Sequence, residues 1–459
     1  MKKPVFIISL ILTGLMFSGF AGPKKKAAET PAAPQFYIST ERENEYDDDD
    51  TELIDHRFEQ IHIEYDGDDY EDLEEALDYV NKEITNGESM NKGYELQDIN
   101  KLSSKELKQR KKLGFFPFKE EWNIYVRRTD NNILSLVREY LTPGEEGDYV
   151  EFEGYTFLMD SGEQLELSDI VDDEDAFYDM LERELSVLVT NHQMVYMGDY
   201  DIDLVDVRPA MDERLDEHRY SWVLDPQGLT FWFNDINALE QNTCVTVLFS
   251  DDTDGTVFNK KYVKLTPDEW IMQIPGNYSE TDFDCEEDGI TDIISWIAAD
   301  TTDDAEIPYP YGINVTFDHR YYNVDEICTP SGLEWENHKA MLVHRDKKTV
   351  LLVSHDEDIY SYIDSFTLGD DNVEFTDYIL GALAWPDSSV GYGTYVPTDV
   401  SAIRVQTVLD AESAEDMDPE YLDVSSDGTM TVTKDKKDSS SDQDKDKKDS
   451  TKDKLKKKK

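Results

Sequence analysis

Asp318 and His319, following the strand-like Thr316-Phe317, set a carboxylate beside an imidazole. Two consecutive aspartates in such a place can serve metal-assisted deacetylation as a base and a metal ligand. That chemistry also needs a second aspartate where His319 stands and a His-x-x-x-His ligand pair downstream, and the sequence has neither. The four residues therefore read as a strand ending in a turn. Cys328, His338 and His344 are zinc-ligand types, but a closed zinc site takes four ligands at recurring spacings, and these are three scattered ones. Ser250-Asp251-Asp252-Thr253-Asp254-Gly255 partly copies a calcium loop, yet Ser opens it and Lys261 stands where the bidentate glutamate belongs. A polar hairpin tip after Phe249 accounts for it, as helix capping accounts for Tyr65-Asp66-Gly67-Asp68-Asp69. Among 103 Asp and Glu, no pair stands out as glycosidase acid and nucleophile. There is no Gly-x-Ser-x-Gly elbow and no phosphate-cradling loop. The sequence designates no catalytic residue, no metal-ligand set and no cofactor.

Of the three cysteines, Cys244 sits in a Cys-Val-Thr-Val alternation and reads as a buried, reduced core residue. Cys285 and Cys328 fall in the same half of the chain, and in an oxidising envelope they could form its one disulfide.

The elements that must hold any site divide into two patterned regions. In residues 56–273, Phe58, Ile61 and Ile63 open a strand, and Leu73, Ala76, Leu77, Val80 and Ile84 recur at helical spacing behind an acidic first turn. Trp122, Ile124 and Val126 alternate, Asp130-Asn131-Asn132 supplies a turn, and Ile133 to Leu141 returns as the second strand of a hairpin. Asp172 to Asp175 caps a helix with Phe177, Met180, Leu181, Leu185 and Leu188 on one face; Leu229–Phe233 and Val245–Phe249 close the region. The pattern is α+β, helices packed on a mainly antiparallel sheet. Residues 274–433 are expected to form a second, mostly-β domain beyond the Pro275-Gly276-Asn277 break. It opens with a short helix at Ile290, Ile293, Ile294 and Ile297, followed by strands at 341–343, 350–353, 360–366, 378–384 and 403–408. Sandwich and propeller-like sheets fit that count equally.

At the N-terminus, Lys2 and Lys3 precede an apolar run from Val5 to Phe20, and Gly19-Phe20-Ala21 offers small residues to a signal peptidase. Residues 1–22 are a signal peptide or an uncleaved anchor, the chain's expected link to a membrane. No Cys follows the run, which excludes a lipoprotein anchor. Residues 23–55, with Asp47–Asp50, read as a flexible acidic linker, and 434–459, nearly all Lys, Asp and Ser, as a disordered tail. Between residues 27 and 433 stand 27 basic and 96 acidic residues, a net charge of −69 within an overall −59. Such a body repels nucleic acid and favours cationic proteins, metal ions or basic wall material. A soluble surface without a dedicated partner is the simpler use of the same charge.

Three blocks, Ile133–Val137, Phe157–Ile170 and Asp225–Phe249, occur in the order found in a bacterial extracellular domain family of unknown function. The chain resembles that family, which includes the sensing region of the lysozyme-responsive anti-sigma factor (RsiV-like) and sits beside some peptidoglycan deacetylase domains. The resemblance implies an exported, secreted or surface-held binding protein whose first domain engages lysozyme or a wall-derived ligand. Only Met1–Lys3 precede the apolar run, so a cytoplasmic sigma-holding domain is not expected on this chain. An accessory or cryptic wall hydrolase or deacetylase, and a purely structural surface protein, are the alternatives.

Overall fold

Phe36 and Ile38 are buried on either side of the partly exposed Tyr37, and the strand they occupy pairs antiparallel with the next along its whole length. The computed structural model describes residues 34–47, 51–65, 67, 69–112, 117–142, 149–196, 207–233, 243–276, 280–298, 310–317, 324–328, 339–357, 360–369, 372–387, 391–401, 403–405 and 420–433. The signal segment 1–22 and the tail 434–459 lie outside these residues.

In chain order the elements are β1 (Gln35–Tyr46), β2 (Glu52–Glu64), α1 (Glu71–Lys101), α2 (Ser104–Lys112), β3 (Phe118–Thr129), β4 (Ile133–Thr142) and β5 (Tyr149–Leu158). Then come α3 (Leu167–Ile170), α4 (Glu174–Tyr196), α5 (Val207–Asp216), β6 (Tyr220–Leu224), β7 (Gly228–Phe233), β8 (Thr243–Leu248) and α6 (Lys260–Val263). Strands follow: β9 (Trp270–Gln273), β10 (Glu280–Phe283), β11 (Asp292–Ala298), β12 (Pro310–Thr316), β13 (Val324–Cys328), β14 (Lys339–Arg345) and β15 (Lys348–Glu357). The last are β16 (Tyr360–Gly369), β17 (Asn372–Leu380), β18 (Ala384–Asp387), β19 (Gly391–Val396), β20 (Ile403–Val405), β21 (Glu420–Val424) and β22 (Met430–Thr433).

The architecture is α+β with a large β share, as the periodicities imply. A seven-stranded sheet runs β18-β19-β1-β2-β3-β4-β5, antiparallel except where β2 meets β3 in parallel. Helix α1 covers one face: Leu73, Leu77, Val80 and Ile84 pack against Phe58, Trp122, Leu134 and Leu136. Acids in its first turn and Lys101 in its last suit the helix dipole. The sheet β6-β7-β8 covers the other face, where Val223, Trp232 and Cys244 meet Tyr125, Val137 and Phe152. Gly228 at the start of β7 lies so close to the Val247 carbonyl that a Cβ there would collide with backbone. Helix α4, its N-terminus capped where Asp173 Oδ1 accepts the Ala176 N–H at 3.1 Å, packs on β7 and β8 through Phe177 and Leu181.

Sheet β17-β16-β15-β14-β9 lies against β10-β11-β12-β13 through Leu342, Leu351, Val353, Ile294 and Val315. On its other face Met341, Leu352 and Ile363 meet β20-β21-β22 through Ile403, Leu422 and Val424. Among the described residues the second half is therefore layered, not propeller-like.

Three expectations are corrected. The flexible linker 23–55 contains β1 and the start of β2: β1 pairs on both sides, with β2 and β19, which satisfies its backbone despite the surrounding acids. The division at 273/274 does not separate two units. β18 and β19 complete the first sheet, β9 pairs with β14 in another, and the described residues all belong to one compact unit. The expected helix at Ile290–Ile297 is strand β11, flanked by β10 and β12; its β-branched run fills a two-sided core position.

Candidate functional site

The apolar stripe of α1 does not end at Ile84. It continues at helical spacing through Glu88, Asn91 and Glu95, and these polar residues close over His56 of β2 and Glu120 of β3. His56 is fully buried. Its Nδ1 lies 3.2 Å from Glu88 Oε1, and its Nε2 lies 2.8 Å from Glu95 Oε2 and 3.8 Å from Glu120 Oε2. Trp122 sets its edge against the ring. Tyr140 of β4 donates to Glu120 Oε1 at 2.8 Å, and Asn91 donates to Glu120 Oε2 at 3.1 Å and to the Tyr140 hydroxyl at 3.2 Å. The ligand atoms of His56, Glu95 and Glu120 all lie within 4.8 Å of one another, the one such group among the described residues.

Burial pushes the Glu120 carboxyl up to about 7, reinforced by the Glu95 charge and opposed by His56, Tyr140 and Asn91. Desolvation pulls His56 the other way, but the hydrogen bond and charge of Glu95, with Glu120 and Glu88, leave it raised. One imidazole thus faces three carboxylates. Loss of solvent, which disfavours isolated charge, is offset here only in part.

Other ionisable groups are buried as well, Arg127 and Glu139 among them. Arg127 of β3 gives Nη2 to Asp225 Oδ2 at 2.6 Å and Nε to Asp225 Oδ1 at 3.2 Å, with Nη1 on the Gln273 carbonyl at 3.2 Å. Thr230 completes Asp225, and the guanidinium lies over Trp232. This centre ties the first sheet to β7 and β9. Glu139 accepts from Asn123 and Tyr125 on Oε2, while its buried Oε1 has no partner among the described residues; burial pushes it up to about 8.

A third feature faces outward. β17 is an edge strand of its five-stranded sheet, and the pairing shifts between Ser365↔Asp377 and Phe366↔Phe375. The extra residue, Thr376, puts Phe375, Tyr378 and Leu380 on one face. All three are more than half exposed, at 54%, 59% and 51%. Phe375 meets Phe366 edge-on, Tyr378 approaches Tyr362, and Glu374 is exposed between them and the strand's start. An open cleft of about 770 Å³ beside Phe375 is lined by Glu286, Asp288, Lys347, Glu374 and Asp427.

Among the described residues, those singled out in the sequence do not converge. Asp318, His319 and His338 lie outside the described residues. His344 is held by Thr349 at Nδ1 and Glu287 at Nε2 and stacks on Trp270, and burial lowers its proton affinity. Cys285 is a buried free thiol. Cys328 ends β13, at the far side of the β10-β11-β12-β13 sheet from β10, and its side chain lies outside the described ones. The expected Cys285–Cys328 bridge therefore involves a side chain outside the described residues. Cys244 is buried and free, as its alternation implies. In the calcium-like stretch, Asp252 accepts backbone N–H groups from Thr256, Val257 and Phe258, the role of a turn. The His56 centre went unread because its members lie far apart in sequence; the signal was a polar 88-91-95 continuation of an apolar helical stripe.

No protein-family model matches the chain, and no curated protein does. Two solved structures described as DUF3298 family proteins are similar to part of it. One, from Bacteroides fragilis, is 13% identical with a TM-score of 0.36 over 52% of this chain and 98% of that one. The other, from Pseudomonas aeruginosa, is 9% identical with a TM-score of 0.30 over 49% and 96%. The likeness is to an uncharacterised domain family and carries nothing about a ligand.

Proposed function

We propose that this chain is an exported, non-enzymatic binding protein of the bacterial envelope that captures a basic polypeptide on the β17 face. One observation carries the reading: three large apolar side chains, Phe375, Tyr378 and Leu380, stand exposed together on one side of an edge strand within a body of net charge −69. Exposed apolar clusters of this kind mark interaction sites. Acidic surroundings select a cationic partner and speed its approach. Lysozyme is the first candidate, because the sequence resembles a family with a lysozyme-responsive member; basic wall-derived material is the second.

Binding of lysozyme and of other basic proteins to the full chain, at low and high salt, tests this. Contacts desolvated in a specific interface survive screening at a Debye length of about 8 Å, whereas generic attraction does not. The expected result is selective binding that persists in salt and falls at least about tenfold when Phe375 and Tyr378 are changed to Ser, as loss of central aromatic anchors does. Equal affinity for every basic protein, vanishing together in salt and indifferent to those changes, overturns it.

A further inference from the structure

We infer that His56, Glu95 and Glu120 form a site for a divalent transition-metal ion, zinc being the ion that fits, with Glu88 as its outer carboxylate. Four features of the geometry point to it. First, Glu88 Oε1 lies 3.2 Å from His56 Nδ1. A carboxylate there holds the ring proton on Nδ1 and leaves the Nε2 lone pair for a metal, the usual arrangement around metal-bound histidine.

Second, the distances suit a small ion. Zinc bonds of about 2.0–2.1 Å in a tetrahedron separate neighbouring ligand atoms by roughly 3.3–3.4 Å. His56 Nε2 stands 2.8 Å from Glu95 Oε2 and 3.8 Å from Glu120 Oε2, on either side of that value. Calcium, with six to eight oxygens at longer range, fits neither the imidazole nor the ligand number.

Third, the ligand from β3 is already oriented. Tyr140 holds one oxygen of Glu120 and Asn91 the other, which fixes the carboxylate plane before any ion arrives. Fourth, three carboxylates around one buried ring leave excess negative charge that a dication cancels. A proton held at Nε2 leaves to solvent as the metal takes its place. Three protein ligands leave a fourth position for water. The site joins α1 to β2 and β3 where the apolar stripe of the helix has given way to polar residues, so the ion acts as a clamp on that half of the helix.

Zinc chloride titrated into the chelator-treated full chain, followed by calorimetry and thermal unfolding, tests the assignment. The expected result is saturable one-to-one binding, release of a proton and a raised unfolding temperature. Glu95→Gln and Glu120→Gln should each weaken binding at least about tenfold, and Glu88→Gln by roughly 10–100-fold, as outer-ligand changes do. Cobalt(II) should give a four-coordinate visible spectrum that Glu95→Gln removes. Glu95 reaches the surface, so its variant keeps the fold if Glu120→Gln does not. No saturable binding by the parent chain, or binding that Glu95→Gln leaves unchanged, overturns the inference.

Discussion

The β17 face and the His56 centre are built from the same residue types, aromatic rings beside carboxylates, and differ in solvent. Phe375, Tyr378 and Glu374 stand in water; Trp122, Tyr140 and Glu120 are buried or nearly so under α1. In water a carboxylate keeps its hydration, its field reaches about one Debye length, and the rings beside it offer apolar area to a macromolecule. Under α1 the carboxylates have lost that hydration, so proton affinity rises, as Glu120 shows, and only a proton or a compact cation can restore balance. In the proposed reading, burial turns one chemistry from recruiting a partner to holding an ion.

The Arg127–Asp225 pair marks the fully balanced end of that scale, and removing its cation should have the largest effect. Arg127→Met leaves Asp225 buried and uncompensated and should cost about 3–5 kcal/mol in urea unfolding. A loss below about 1 kcal/mol would mean that water reaches the site and that burial does not separate the two regions.

Glu139 sharpens the comparison from the acid side. Its folded pKa of about 8 lies above the unfolded value of 4.5, so the fold holds a proton that the unfolded chain releases. Stability is therefore lost as pH rises from 4.5 through 8. Glu139→Gln should remove that loss and stabilise the protein by about 2–4 kcal/mol at pH 7.5, with little change near pH 4.5. Unfolding curves at both pH values check it; equal effects at both would refute the sign.

The outward region was in part legible from sequence and the inward one was not. Alternation located β3, β4, β7, β8 and the 350–353 and 360–366 strands, and helical spacing located α1 and α4, because each element buries one face. Strand β1 was hidden by its acids: Glu41, Glu43 and Glu45 are solvent-facing, and only pairing with β2 and β19 makes the segment a strand. Ile290–Ile297 carries isoleucines at spacings that fit a helix, and its neighbours on both sides decided for a strand. The His56 centre joins residues 39 positions apart across β2 and α1, a contact no local period reveals. The β17 face depends on a one-residue bulge, which alternation alone does not show.

Smaller effects are expected where side chains already stand in water. Tyr378→Ser should change stability by less than about 0.5 kcal/mol in urea, as exposed substitutions do, while weakening partner binding. Arg42→Ala, which breaks an exposed pair with Asp55, should cost under about 1 kcal/mol and less in high salt. A larger loss from Tyr378→Ser would show that the face is part of the core.

Hydrogen exchange of the full chain, alone and with saturating lysozyme, separates the two regions directly. Protection gained at residues 372–380, with residues 84–95 of α1 unchanged, is the result expected if β17 is the docking strand. Protection confined to other segments, with 372–380 exchanging as in the free chain, would contradict it.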